Sequence, residues 1–216
     1  MEVVVLAVTK MKEGFCVAGM TLQGRWVRLI PRGNYNWPAI KYRCGGHIEV
    51  GDVLKVDGTW RYSDPPHSED YEISAASRRC RLTNQQLLAF CREHREDGAA
   101  FLTLMGRQKR SLCLLRVDRI LTVYKDENPL KDRLAVLFDN QWQRNYTKAP
   151  GFPCTGLQWR AMQSLGLPMP VFREVYVVFG LTRGIKEEKK TVPPSPMVIS
   201  IIGDPPLPGE IDYQNP

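Results

Sequence analysis

Apolar positions along the chain come in short runs, most of them too brief for helices. Residues 3–8, Val3-Val4-Val5-Leu6-Ala7-Val8, form a continuous run rich in β-branched side chains, which predicts a strand buried on both faces. Residues 15–20 predict a second strand and residues 25–30 a third, joined by a hairpin turn at Gly24. The third alternates, with Trp26, Arg28 and Ile30 on one face and Arg25, Val27 and Leu29 on the other. Residues 31–47 hold Pro31, Gly33, Pro38, Gly45 and Gly46 and read as a long loop. Residues 51–56 open the next strand, Asp57-Gly58 reads as a hairpin turn, and residues 59–62 return from it. Thr83 with Gln86 predicts a capping box, followed by a helix with Leu87, Leu88 and Cys91 on its apolar side. Residues 101–104 read as a strand, residues 106–110 as a basic turn, and residues 111–124 as one long strand or a bent pair.

The second half repeats this grammar. Residues 134–138 predict a strand, and residues 141–146 alternate weakly. Thr155 with Gln158 predicts another capped helix, stopped by Gly166 and Pro168. Residues 175–180 and 197–202 predict strands, with a charged, proline-containing loop at 185–196 between them. Residues 204–216 form a proline-rich tail expected to be mobile. A five-residue echo, Leu6-Ala7-Val8-Thr9-Lys10 against Phe179-Gly180-Leu181-Thr182-Arg183, hints at related halves. Short strands with turn signals and a helix in each half fit small barrels of the oligonucleotide/oligosaccharide-binding (OB) type. The fold expected is therefore mainly β, with two adjoining OB-like barrels, each with one or two helices, over residues 1–105 and 106–203.

The segments VLAVTKM, FCVAGM, GRWVRLI, TGLQWR, VYVVFGLTRG and MVISII resemble the dual OB-containing domain family, a set of poorly characterised bacterial and archaeal proteins. The resemblance would cover most of residues 1–203. It implies two packed OB barrels that bind nucleic acid, and it brings no established catalytic residues. One departure stands out: Gly156 occupies the place after Thr155 where the family pattern leads one to expect an acidic residue.

At 216 residues, with 43% hydrophobic and 25% charged side chains, the chain has enough apolar material for a packed core. No apolar run reaches the roughly 18 residues of a membrane span. The amino-terminal stretch lacks the basic region and cleavage site of a signal peptide. The six cysteines follow no disulfide-scaffold spacing, so a cytoplasmic protein with reduced thiols is expected.

The net charge of +7 is unevenly placed. Counting along the sequence gives +5 for residues 1–48, −5 for 49–77 and +6 for 78–119. Such blocks either present a positive surface to a polyanion or fold against one another.

Single-stranded nucleic acid needs cations for phosphates and flat side chains for bases. Arg25, Trp26, Arg28 and Arg32 put both on one hairpin, and Tyr35, Trp37, Lys41, Tyr42 and Arg43 continue the mixture into the next loop. The competing reading of Trp26 is barrel core. Thr9-Lys10 and Thr182-Arg183 sit at strand ends, where a hydroxyl beside a cation suits phosphate or simply satisfies a turn. Basic turns offer Arg78, Arg79, Arg81, Arg107, Lys109 and Arg110, and Arg160 lies in the second helix. Two Cys-x-x-His pairs, Cys44 with His47 and Cys91 with His94, are weak zinc-ligand candidates, Cys91 being more simply core.

No phosphate-binding glycine loop or nucleophile elbow is present. The acids Asp52, Asp57, Asp64, Glu69, Asp70 and Glu72 crowd one segment and read as solvated acidic surface, with a metal-dependent nuclease as the alternative. The function expected is a non-enzymatic module for single-stranded DNA or RNA that needs no cofactor. The other alternative is an interaction subunit that docks a protein or a nucleotide-like ligand.

Overall fold

The computed structural model describes residues 1–213 apart from positions 12, 35, 43–44, 62–64, 108, 125–132, 138–151, 183–184, 188–189 and 193. The expected strand at 141–146 lies outside the described residues.

The first half is a closed five-stranded barrel of β1 (Glu2–Lys10), β2 (Phe15–Thr21), β3 (Trp26–Pro31), β4 (Asp52–Trp60) and β5 (Asp70–Arg81), in the order β1-β2-β3-β5-β4. β4 closes the cylinder by pairing antiparallel with β1, and β3 pairs parallel with β5 over Arg28–Pro31 and Asp70–Ile73. The β2–β3 hairpin turns at Gly24, at φ +79°, a conformation that favours glycine. Trp37, Ile40 and Tyr42 from the 31–47 loop, with Ile48 just after it, are buried in the barrel core beside Val3, Val5, Val17, Val27 and Leu29.

Two expectations in this half are corrected. Asp57-Gly58 is no hairpin turn: β4 runs straight through it, with a register irregularity against β5 at that point. Gly58 is required because β5 passes so close that a Cβ there would lie 2.0 Å from the Glu72 carbonyl oxygen. The basic run at 78–81 is no turn either but the end of β5, the longest strand, whose Tyr71 and Ile73 point into the barrel core.

Helix α1 (Asn84–His94) begins with the expected capping box, in which the Thr83 hydroxyl accepts from the Gln86 N–H and the Gln86 side chain accepts from the Thr83 N–H. The predicted strand at 101–104 is instead part of helix α2 (Gly98–Arg107). Phe101 and Leu104 are fully buried and Leu102 is exposed, an i, i+3 burial pattern that a strand cannot supply.

The long segment after it is a bent pair, β6 (Leu112–Val117) and β7 (Arg119–Tyr124). β8 (Arg133–Leu137) and β9 (Phe152–Pro153) follow, then helix α3 (Leu157–Ser164), β10 (Glu174–Leu181), β11 (Ile185–Glu187), β12 (Lys190–Val192) and β13 (Pro196–Asp204). The loop expected at 185–196 thus contains the β11–β12 hairpin. The second half builds two three-stranded sheets, β13-β10-β6 and β7-β8-β9. The expected capping box at Thr155 does not form. The Thr155 N–H is bonded to the Val198 carbonyl and its hydroxyl faces Met197 Sδ, so α3 starts at Gly156 without a side-chain cap.

Both faces of β1 are buried, as its continuous apolar run requires. Val3, Val5 and Val8 point into the barrel, whereas Val4, Leu6 and Ala7 point outward, the alternation being shifted by a bulge between Val5 and Ala7. The outward set meets Leu112 and Leu114 of β6, Tyr176 and Val178 of β10, Ile199 and Ile202 of β13, and Leu87, Leu88 and Cys91 of α1. The opposite face of the β13-β10-β6 sheet covers a separate core containing Phe101 and Leu104 of α2 with Trp159 and Met162 of α3. Packing therefore places α2 with the second half, although most of the helix precedes residue 106.

The proline-rich tail, expected to be mobile, is docked over its described part, which ends at Tyr213. Leu207 is buried in the second core, Ile211 and Tyr213 pack against the barrel core, and the Tyr213 ring stacks on His47 at 3.8 Å. Among the described residues no helix is long and apolar enough to cross a membrane.

Gly58→Ala is expected to lower stability by about 1–3 kcal/mol, because the added methyl has to push two paired backbones apart. A shift of the urea unfolding midpoint at unchanged slope would measure it.

Candidate nucleic-acid interface

The acidic and basic blocks of the sequence fold against one another. Asp52 is fully buried and accepts hydrogen bonds from the Tyr42 hydroxyl at 2.7 Å, the Glu49 N–H at 2.9 Å and Arg81 Nε at 2.7 Å. Burial, with the Asp52 carboxylate next in weight, pushes the Tyr42 phenol well above its usual range. Arg28 and Asp70 form a buried ion pair, with Nε 2.6 Å from Oδ1. Arg79 pairs with Glu2, Arg81 also pairs with Glu49, and Arg32 lies 3.5 Å from Glu72. Glu69, also buried, accepts from the Ser111 N–H at 2.6 Å and the Ser111 hydroxyl at 3.0 Å, and burial raises its carboxyl above the usual range. Three of the acids expected to be solvated surface, Asp52, Glu69 and Asp70, are thus interior, whereas Asp57 is exposed. Carboxylates balanced by basic blocks on either side of them in sequence were the available signal.

Most of the hairpin expected to meet nucleic acid is consumed in the same way. Trp26, Arg28 and Ile30 do share a face, but that face is covered, and all three are buried. The Trp26 indole N–H donates to Glu96 Oε2 at 3.3 Å, an oxygen that also accepts from the Leu114 N–H of β6. Arg110 is paired with the same carboxylate. Of the hairpin group Arg25 and Arg32 stay exposed, the Arg25 guanidinium 3.6 Å from the centre of the Trp60 ring.

In both threonine–cation pairs the threonine hydroxyl has a partner within the fold. Thr9 is buried with its hydroxyl near Met11 Sδ, and Lys10 lies over the Phe15 ring. The Thr182 hydroxyl accepts from the Ser195 N–H at 2.9 Å, and Arg183 lies outside the described residues. Arg107 ends α2, Lys109 is exposed, and Arg160 is half-buried on α3, where burial lowers its guanidinium's affinity for the proton. Tyr35, Arg43 and Cys44 lie outside the described residues. Cys91 is core, its thiol pushed by burial to about 12, while His47 stacks on Tyr213 and His94 on the edge of Phe90. Among the described residues no group of three or more histidines, cysteines or carboxylates is placed to hold a metal ion.

What the fold does assemble is a cleft of about 760 Å³ between the 31–48 segment and β5. β3 ends at Pro31, so β5 loses its parallel partner after Ile73, and the loop closes the barrel wall there instead. Arg32, Lys41, Lys55 and Arg78 line the opening, against one acid, Asp57. Lys41 and Lys55 are exposed and in no ion pair among the described residues, while the Arg78 guanidinium sits 5.4 Å from the Tyr42 ring centre and 4.0 Å from Asp52. The floor is Ser74, Ala75, Ala76 and Ser77, side chains small enough to let a ligand approach the backbone. Trp37 and Tyr42 form the inner wall but are buried, and the Trp37 indole N–H is bonded to the Leu29 carbonyl at 2.8 Å. Of the expected site, then, Arg32, Trp37 and Lys41 meet here. Lys55 was missed because one lysine in an apolar strand carries no signal, and the role of Arg78 depended on recognising β5.

The chain belongs to the dual OB-containing domain family. Residues 1–188 match that family, which accounts for the closed barrel and for the second β-rich half. No curated protein and no solved structure matches the chain. OB folds in general often bind nucleic acids.

Two outcomes follow from the buried charges. Arg28→Met is expected to destabilise the protein by about 3–5 kcal/mol, since it strands Asp70 in the interior, and the double change Arg28→Met with Asp70→Leu should recover much of the loss in a denaturant titration. Because folding raises the Glu69 carboxyl, the folded state holds its proton at pH values where the unfolded chain has released it. Its contribution to stability is full below the ordinary carboxylate range and is lost as pH rises through the raised value. Stability curves of the wild type and Glu69→Gln measured from pH 4 to 8 should therefore diverge with rising pH, the wild type falling relative to the variant.

Proposed function

We propose that this chain is a non-enzymatic module that binds single-stranded nucleic acid along the cleft between the 31–48 segment and β5. One observation carries the reading: four cations line one open cleft against a single acid, and two of them, Lys41 and Lys55, are exposed and in no ion pair among the described residues. A strand lying over the small residues 74–77 would set its phosphates against Lys41, Lys55, Arg32 and Arg78. Four such contacts correspond to a slope of about −2.8 in log affinity against log salt. Of the acids that a nuclease would need, Asp52 is engaged by Arg81 and Tyr42, Asp70 by Arg28 and Glu69 by Ser111, which leaves Asp57 as the one acid lining the cleft.

A second reading has its own observation. Beyond Ile73 one edge of β5 has no strand partner among the described residues, and an extended acidic peptide could pair with it.

Fluorescence anisotropy with single-stranded DNA, single-stranded RNA and duplex DNA at about 50 and 200 mM salt tests the proposal. The expected result is salt-sensitive binding of a single strand, weakened more than about tenfold at low salt in Lys41→Glu with Lys55→Glu, two exposed positions whose change should cost little stability. No binding of any of the three at 50 mM salt would sink the nucleic-acid reading and favour the peptide one.

A further inference from the structure

We infer that Trp60 and Arg25 form a stacking site for one unpaired base of the bound strand, distinct from the cationic cleft. This rests on the nucleic-acid reading above and adds the part that the cleft lacks, an accessible aromatic face.

The four described tryptophans divide sharply. Trp26, Trp37 and Trp159 are buried, whereas Trp60, at the end of β4, is 39% exposed. Trp60 makes an edge-to-face contact with Tyr71, at 5.2 Å between ring centres. The exposed Arg25 guanidinium lies over its face, 3.6 Å from the ring centre. A guanidinium on a flexible stem is an exchangeable cover. A nucleobase is flat and polarisable and stacks on both indole and guanidinium, so it can replace Arg25 on the ring or slide between the two groups.

The surroundings fit a base better than a phosphate. The pocket, about 410 Å³, is lined by Arg25, Trp60, Ser68, Glu69, His94 and Arg110 among others. Its charges are balanced, with Glu96 paired to Arg110 and Glu69 bonded to Ser111. The other cleft carries four cations against one acid. The two sites therefore divide the ligand by chemistry, phosphates at one and an uncharged ring at the other. They also lie on the same strands: Asp57 lines the cleft and Trp60 the pocket, three residues or about 10 Å apart along β4. A single strand can reach both.

The test compares an oligothymidine with an abasic oligonucleotide of equal length on the full chain, using anisotropy for affinity and tryptophan emission for stacking. Wild type is expected to bind the oligothymidine more tightly and to lose emission on binding it. Trp60→Leu should weaken oligothymidine binding about 5- to 150-fold, leave the abasic strand unchanged and abolish the emission change. Trp60→Phe should retain most of the affinity, which separates lost stacking from a damaged fold. Equal affinity of the wild type for both strands, or unchanged oligothymidine binding by Trp60→Leu, would overturn the stacking site while leaving the cleft standing. Failure of both strands to bind at low salt would overturn both.

Discussion

The structure depends on one apolar layer shared by the two halves. The outer face of the barrel, from Val4, Leu6 and Ala18 to Trp26, is also one wall of the second half, whose β6, β10 and β13 present Leu114, Tyr176, Val178 and Ile202 to it. A small barrel alone would leave that face in water. Covering it buries β1 on both sides and brings α1 in as a wedge, so the halves form one packed unit. The same layer decides where a ligand can bind, because it removes the Trp26–Arg28 face from solvent and leaves the open side of β5 as the accessible barrel wall.

Charge follows from this packing. Drawing the 69–70 and 96–97 segments toward the junction would bury carboxylates at a heavy desolvation cost unless each found a partner. The partners are at hand: Arg28 for Asp70, backbone and hydroxyl donors for Glu69, and Trp26, Leu114 and Arg110 for Glu96. At the other end of the barrel Asp52 gathers Tyr42 and Arg81. The arginines of the blocks are thereby spent on structure. The cations left unpaired are mostly those on lone, exposed positions such as Lys41 and Lys55. A positive total charge is consequently a poor guide to this protein's surface.

Some of the fold was legible residue by residue. The β-branched run at 3–8 is doubly buried, the hairpin turns at Gly24, and Thr83 and Gln86 close their capping box, since each depends on neighbours within a few positions. Where a distant segment intervenes, local signals mislead. Asp57-Gly58 has the chemistry of a turn, yet the glycine is there for the close passage of β5. Thr155 has the spacing of a cap, but its N–H and hydroxyl are both drawn to β13. Phe101 and Leu104 look like strand residues until the second core demands both on one side of a helix.

By itself the sequence determined the material: mainly β elements, the family, a set of cations and aromatics, and opposed charge blocks in adjacent segments. Tertiary structure alone decided which of those groups face water. Hydrophobic periodicity reports that one face of a strand is apolar, but a face of mixed character, such as Trp26-Arg28-Ile30, is buried or exposed according to whether another layer covers it. Ion pairing between residues 42 apart, as in Arg28 and Asp70, leaves no local trace, and neither does a cleft that exists because β3 is shorter than β5. Both arise from the closure of the barrel, which joins segments that the sequence keeps far apart.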